Sequence, residues 1–143
     1  MKKVLVTGGL GFIGSHFIHY MLTNYPNCEV YNLDARTYAG KLENAAEAES
    51  SPRYHYYEGN ILDVDLVEKI FAKGIDTVVH FAAESHVDRS IQSPEIFVES
   101  NVLGTLRLLE AAKKYKVSRF VHISTDEVYG TLGPTGAFTE QTP

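Results

Sequence analysis

One stretch limits what this chain can fold into: Val4-Leu5-Val6-Thr7-Gly8-Gly9-Leu10-Gly11-Phe12-Ile13-Gly14-Ser15-His16. Three apolar, strand-type residues run straight into a glycine-rich turn, and a helical pattern follows at once. Glycine there permits positive φ, lets backbone N–H groups approach a ligand without a Cβ in the way, and lets the helix pack close to the strand. The helix N-terminus adds unpaired donors and partial positive charge, which suits an anion such as a pyrophosphate. The stretch fits two spacings, G-x-x-G-x-x-G from Gly8 and G-x-G-x-x-G from Gly9, so its context decides. Twenty residues beyond Gly14, Glu29-Val30-Tyr31-Asn32-Leu33-Asp34 reads as a second strand ending in a carboxylate, the position from which an acidic residue binds a ribose diol.

The remaining pattern continues the alternation. Phe12, Ile13, Phe17, Ile18, Met21 and Leu22 predict a helix from about Gly11 to Asn24, ended by Tyr25-Pro26. Residues 41–51 are rich in Ala and Glu and predict a short surface helix and loop with no apolar face. Arg53–Glu58 predicts a third strand, Val64–Lys73 a helix stopped by Gly74, and Asp76–Phe81 a fourth strand apolar enough to be buried on both faces. Glu84–Ser93 reads as a solvated connection. Ser93 as N-cap and Pro94 at the first helical position open a long helix to about Lys116. Its stripe is Val98, Val102, Leu106, Leu109 and Ala112, with Gly104 there for close packing. Arg119–Ser124 predicts a fifth, buried strand, and Gly130–Pro143 a loop.

Five strands alternating with helices predict one α/β domain over residues 1–143, a doubly wound parallel sheet of Rossmann-like type with strand order 3-2-1-4-5. In that order the switch point lies between the first and fourth strands. Residues 8–14, 82–85 and 124–127, which follow strand ends, should converge there.

Composition excludes several classes. At 44% hydrophobic and 22% charged residues the chain is an ordinary globular one. A net charge of −5 with no basic cluster argues against nucleic acid or an anionic membrane surface as partner. The single Cys28 excludes an internal disulfide and a cysteine-rich metal site. His16 and His19 stand at helical spacing without an acidic or thiol companion, so no metal is expected. Three apolar residues before Thr7 make neither a signal core nor a membrane span, and a cytoplasmic location is the default expectation.

Ser124-Thr125-Asp126-Glu127-Val128-Tyr129-Gly130 is the second informative stretch. It sets a hydroxyl and two carboxylates in sequence after the fifth strand. In a regular strand Asp126 and Glu127 would point to opposite faces, so one pocket receives both only if the chain curls. Two carboxylates in one cleft can be driven apart in pKa to give an acid and a base. The same residue types are also those of a polar strand end that caps the next turn.

These motifs together resemble the dTDP-glucose 4,6-dehydratases, members of the extended short-chain dehydrogenases acting on nucleotide sugars. The resemblance rests on Thr7-Gly8-x-x-Gly11-x-x-Gly14, Asp34 with Thr37-Tyr38-Ala39-Gly40, Phe81-Ala82-Ala83-Glu84-Ser85-His86-Val87-Asp88-Arg89-Ser90, Asn101-Val102-x-Gly104-Thr105, and Thr125-Asp126-Glu127. It runs from end to end, with Thr-Asp-Glu its most specific part. It implies NAD as cofactor, dTDP-glucose as substrate and a homodimer. The implied chemistry passes hydride from sugar C4 to NAD+, eliminates water across C5 and C6, and returns the hydride to C6. Glu127 would take the C5 proton, Asp126 would protonate the departing hydroxyl, and Thr125 would bind near the C4 oxygen. The resemblance further implies Gly8, Gly11, Phe12, Ile13 and Gly14 at the pyrophosphate, Asp34 and Thr37 at the adenosine ribose, and Asn60 and Ile61 at the adenine. Asn60 stands where the family usually has aspartate. Ala82, Ala83, Ser85 and Ser100 would lie along the rest of the cofactor.

The family also carries a Tyr-x-x-x-Lys pair, the tyrosine being the base for C4 oxidation. No tyrosine of this chain has lysine four residues on, so the sequence is expected to be the N-terminal part of such an enzyme. The alternatives are a nucleotide-sugar epimerase or decarboxylase of the same superfamily, and an NAD-binding module without catalysis. A P-loop phosphotransferase is disfavoured because no Gly-Lys-Ser/Thr follows the glycines.

Overall fold

The computed structural model describes residues 1–142. Strands β1 (Lys3–Thr7), β2 (Glu29–Asp34), β3 (Tyr54–Glu58), β4 (Thr77–His80) and β5 (Arg119–His122) form one parallel sheet in the order 3-2-1-4-5, as expected. Val6 stands opposite Asn32 on one side and Val79 on the other, which makes β1 the central strand.

Alternation along β1 builds the core on both faces. Leu5 joins Tyr31, Leu33 and Val78 beneath helices α3 (Val64–Phe71) and α6 (Thr105–Lys114), through Val67, Ile70, Phe71 and Leu108. Val4 and Val6 point the other way with Val30 and Val79, under Ile18 and Met21 of α1 (Phe12–Asn24). Asp63 caps α3 by accepting from the Leu66 N–H at 3.1 Å, and Gly74 ends the element at φ 84°.

The segment over 41–51 folds as a 3₁₀ turn (Leu42–Ala45) running into helix α2 (Ala46–Glu49). It does have an apolar face: Ala45 and Ala48 are buried against α1, because two methyl groups suffice where the backbones approach closely. The connection after β4 is not simply solvated loop. Val87–Gln92 forms helix α4. Helix α5 (Pro94–Phe97) opens the long helical stretch with Pro94 at its start, as expected, although the Ser93 side chain makes no capping bond.

The long helix is interrupted. Val98–Gly104 is π-helical before α6 resumes, and of the anticipated stripe only Ala112 is buried. Val98, Val102, Leu106 and Leu109 are exposed, while Gly104, Leu108, Ala111 and Ala112 face the core. Gly104 serves close packing as expected, since a Cβ there would overlap Ile61 Cδ1. β5 is shorter than expected and, as the edge strand, largely exposed rather than buried. Among the described residues no helix is long and apolar enough to cross a membrane.

Candidate functional site

The carboxyl ends of β1, β2 and β4 open into a cleft of about 370 Å³. Gly8 forms its floor at φ 71°, and a Cβ there would stand 2.7 Å from the backbone nitrogen of Ala82. A Cβ on Gly14 would overlap the carbonyl oxygen of Gly8, so both glycines are required by the fold of the turn itself. Helix α1 begins at this turn with no side-chain cap and no acidic residue in its first turn. Its positive end is therefore left for an anion in the cleft. Phe12 and Ile13 line the cleft and are exposed, at 78% and 62%.

Asp34 is buried at the opposite lip. Its Oδ2 accepts from the Leu10 N–H at 2.9 Å and its Oδ1 from the Arg36 N–H at 2.8 Å. Each oxygen keeps a lone pair for a hydroxyl donor. The Arg36 guanidinium donates instead to Glu58 at 2.9 Å, and this bond holds its pKa above the usual arginine value. Thr37 and Gly40 complete the lip, and a Cβ on Gly40 would press on Asp34 Oδ1 at 2.8 Å. Asn60 lies along the wall with its carboxamide oxygen accepting from the Leu62 N–H at 3.0 Å.

The far wall is Ala82, Ala83, Glu84 and Ser85. Asn101, in the π-helical turn, clamps it by accepting from the Glu84 N–H and donating to the Glu84 carbonyl, both at 2.8 Å. Ser100 beside it also lines the cleft. Glu84 was not singled out from the sequence. Its carboxylate is 6% exposed, its Oε2 has no hydrogen-bond partner, and Arg89 Nε lies 3.9 Å away. Its place in the 82–85 segment that follows β4 at the switch point is the signal that points to it.

All thirteen binding positions named from the sequence line this one cleft: Gly8, Gly11, Phe12, Ile13, Gly14, Asp34, Thr37, Asn60, Ile61, Ala82, Ala83, Ser85 and Ser100. The trio expected to be catalytic does not. Thr125, Asp126 and Glu127 are exposed, and the residue that reaches the cleft from the end of β5 is Ile123. Thr125 opens a 3₁₀ turn (Asp126–Tyr129), its hydroxyl oxygen accepting from the Glu127 N–H at 3.2 Å. The chain thus curls after β5, and Thr125 is a cap as well as a candidate ligand. His16 and His19 do not act together: His16 Nδ1 lies 2.8 Å from the Phe12 carbonyl, and His19 faces Glu47 at 3.2 Å.

A dinucleotide fits this arrangement on the structure's own terms. The floor is closed to any Cβ, the helix end is free of competing carboxylates, and the ribose-side carboxylate is held rigid by two backbone donors.

The sequence profile of the family described as GDP-mannose 4,6 dehydratase matches residues 5–143. A dTDP-glucose 4,6-dehydratase of an Actinoplanes strain is 47% identical over 146 residues, covering 99% of this chain and 45% of that protein. The crystal structure of the dTDP-glucose 4,6-dehydratase DesIV from Streptomyces venezuelae, with NAD bound, superposes with a TM-score of 0.92 at 48% identity, over 99% of this chain and 44% of that one. The UDP-glucose 4-epimerase of Thermus thermophilus, in complex with NAD, gives 0.86 at 35% identity, over 99% and 43%. The chain spans less than half the length of the curated relatives it matches.

Proposed function

Because the chain belongs to the GDP-mannose 4,6 dehydratase family, we propose that it forms the NAD-binding domain of an enzyme that converts dTDP-glucose to its 4-keto-6-deoxy product. The observation that carries this reading is the single cleft lined by all thirteen expected cofactor positions, with Asp34 fixed at its ribose end. The dehydratase relatives support the substrate, and the Asp126-Glu127 pair supports elimination over epimerisation.

Bound NAD would supply a hydride acceptor for sugar C4 and donor for C6. The chain's own residues do the rest. The Gly8–Gly14 turn and the start of α1 hold the pyrophosphate, and Asp34 accepts from the adenosine ribose hydroxyls. Ala82 and Ala83 are small enough to admit the ligand along the far wall. Glu127 removes the C5 proton made acidic by the adjacent ketone, and Asp126 gives a proton to the leaving C6 oxygen. Thr125 hydrogen-bonds near the C4 oxygen. Substrate binding has to draw this exposed turn toward the cleft mouth. The proton at the C4 hydroxyl needs a base that residues 1–143 lack, since no Tyr-x-x-x-Lys occurs in them. On its own the chain therefore binds NAD weakly and does not turn over. The working enzyme is a cytoplasmic homodimer.

The test is a product assay on the complete open reading frame containing this sequence, with dTDP-glucose and NAD+. Formation of the 4-keto-6-deoxy sugar nucleotide is expected. Inversion of UDP-glucose at C4 with no dehydration would overturn the reading in favour of an epimerase.

A further inference from the structure

His80, at the end of β4, is 1% exposed and has no assigned role in the chemistry above. Both ring nitrogens are engaged by hydroxyls, Nδ1 with Thr7 Oγ1 at 2.6 Å and Nε2 with Thr105 Oγ1 at 3.0 Å. The direction of every proton in this chain can be worked out. Thr105 gives its hydroxyl proton to the Asn101 carbonyl at 2.8 Å, so its oxygen can only accept from the ring. His80 Nε2 must then carry a hydrogen. In a neutral ring Nδ1 is left as the acceptor, and the Thr7 hydroxyl donates to it. The Thr7 oxygen in turn accepts from the Ala82 N–H at 3.4 Å. Burial pushes the imidazole down to about 4, and His122, with ring centroids 5.1 Å apart, pushes the same way.

One directed path thus runs from Ala82 through Thr7, His80 and Thr105 to Asn101, which itself holds Glu84 at both backbone atoms. It begins and ends on the same wall of the cleft. We propose that His80, as the Nε2–H tautomer, is a positioning residue that locks the π-helical turn to the end of β1 and so fixes the 82–85 wall against which the cofactor lies. It touches no ligand; it acts through Thr7 and Thr105. The path explains why a histidine stands in a strand otherwise made of Thr77, Val78 and Val79. No other neutral side chain offers an acceptor and a donor at opposite ends of a rigid ring.

The cofactor part of this inference rests on the NAD reading, so the test has two arms. In ¹⁵N-histidine-labelled protein, long-range ¹⁵N–¹H correlation is expected to show His80 protonated at Nε2 alone at pH 7. An Nδ1–H or doubly protonated ring would overturn the proposal whatever the ligand is. The second arm uses Thr105→Val, which keeps shape and burial but removes the acceptor for Nε2–H, and Thr105→Ser, which restores it. Thr105→Val should speed hydrogen exchange at the Glu84 amide and weaken NAD+ binding by roughly 2- to 10-fold, the weight of one hydrogen bond. Thr105→Ser should recover both. Unchanged Glu84 exchange in Thr105→Val would overturn the positioning role. Absence of NAD+ binding by the wild-type complete reading frame, with the tautomer and exchange results intact, would overturn only the cofactor reading.

Discussion

Leu10 and Asp34 are joined by a 2.9 Å hydrogen bond from the Leu10 N–H to Asp34 Oδ2, across 24 residues of sequence. The bond ties the glycine turn to the end of β2, so the carboxylate that would bind the ribose also holds the loop that would bind the pyrophosphate. Asp34→Ala should therefore do two things. It leaves a buried N–H unpaired, at a cost of about 1–3 kcal/mol, and removes the acceptor for the ribose. A lower melting temperature and at least roughly tenfold weaker NAD+ binding by calorimetry are expected. Wild-type protein should prefer NAD+ to NADP+, since a 2′-phosphate would face Asp34 while Arg36 is held by Glu58. Tighter NADP+ binding would contradict this.

Gly8→Ala and Gly74→Ala make a matched pair. Both sites have positive φ, 71° and 84°, but a Cβ at Gly8 meets the Ala82 backbone at 2.7 Å and one at Gly74 meets nothing within 4 Å. Gly74→Ala should cost about 1 kcal/mol and leave ligand binding alone. Gly8→Ala should abolish NAD+ binding and destabilise by several times as much. Chemical denaturation with parallel calorimetry separates the two.

Stability should fall on mild acidification because of His80. Its folded pKa of about 4 lies below the ordinary value of 6.5, so the unfolded chain takes up the proton first. The contribution is complete above pH 6.5, shrinks as the pH falls toward 4, and levels off below that. The full swing is of order 3 kcal/mol. Urea midpoints measured across this window should show the slope, and His80→Asn should flatten it; an unchanged slope in the variant would assign it to other groups.

In the complete reading frame, Glu127→Gln should slow loss of the C5 proton by about 10²–10⁴-fold, the usual contribution of a positioned base. Oxidation at C4 should persist, so NADH absorbance accumulates in a single turnover. Product formation at the wild-type rate would remove Glu127 from the role.

The exposed stripe on the helical segment predicts self-association of the isolated chain. Val98, Val102, Leu106 and Leu109 are 59%, 63%, 46% and 46% exposed, and β5 is an open sheet edge. Light scattering should show more than a monomer, and Leu106→Glu should shift it toward monomer. A monodisperse wild-type monomer would refute this.

The sheet order and the cleft were legible because they follow from local patterns with strict physical requirements: β-type runs, a glycine turn and a carboxylate after β2. Helix α4 was not, since six residues are too few for a periodic signal and none of them is buried, whereas Ser93-Pro94 did mark where the long helical stretch begins. The stripe 98–109 was visible, but its orientation was not. Periodicity marks an apolar face without saying what it faces, and here that face is exposed. Thr125 was readable both as cap and as ligand; its bond to the Glu127 N–H establishes the first role and leaves the second to experiment.

The π-helical turn also makes length, rather than composition, the constrained property of its stretch. Most side chains of Val98–Gly104 reach no core, but Asn101 holds Glu84 at both backbone atoms and a Cβ on Gly104 would overlap Ile61 Cδ1. Removing a residue between Asn101 and Thr105 is different: it changes the four-residue spacing over which the Thr105 hydroxyl reaches the Asn101 carbonyl, and with it the hold of these two residues on His80 and Glu84. Outside Asn101 and Gly104 this stretch should accept many substitutions but no deletion between Asn101 and Thr105: a screen of single-codon deletions would find that interval brittle, while a substitution scan would register only Asn101 and Gly104.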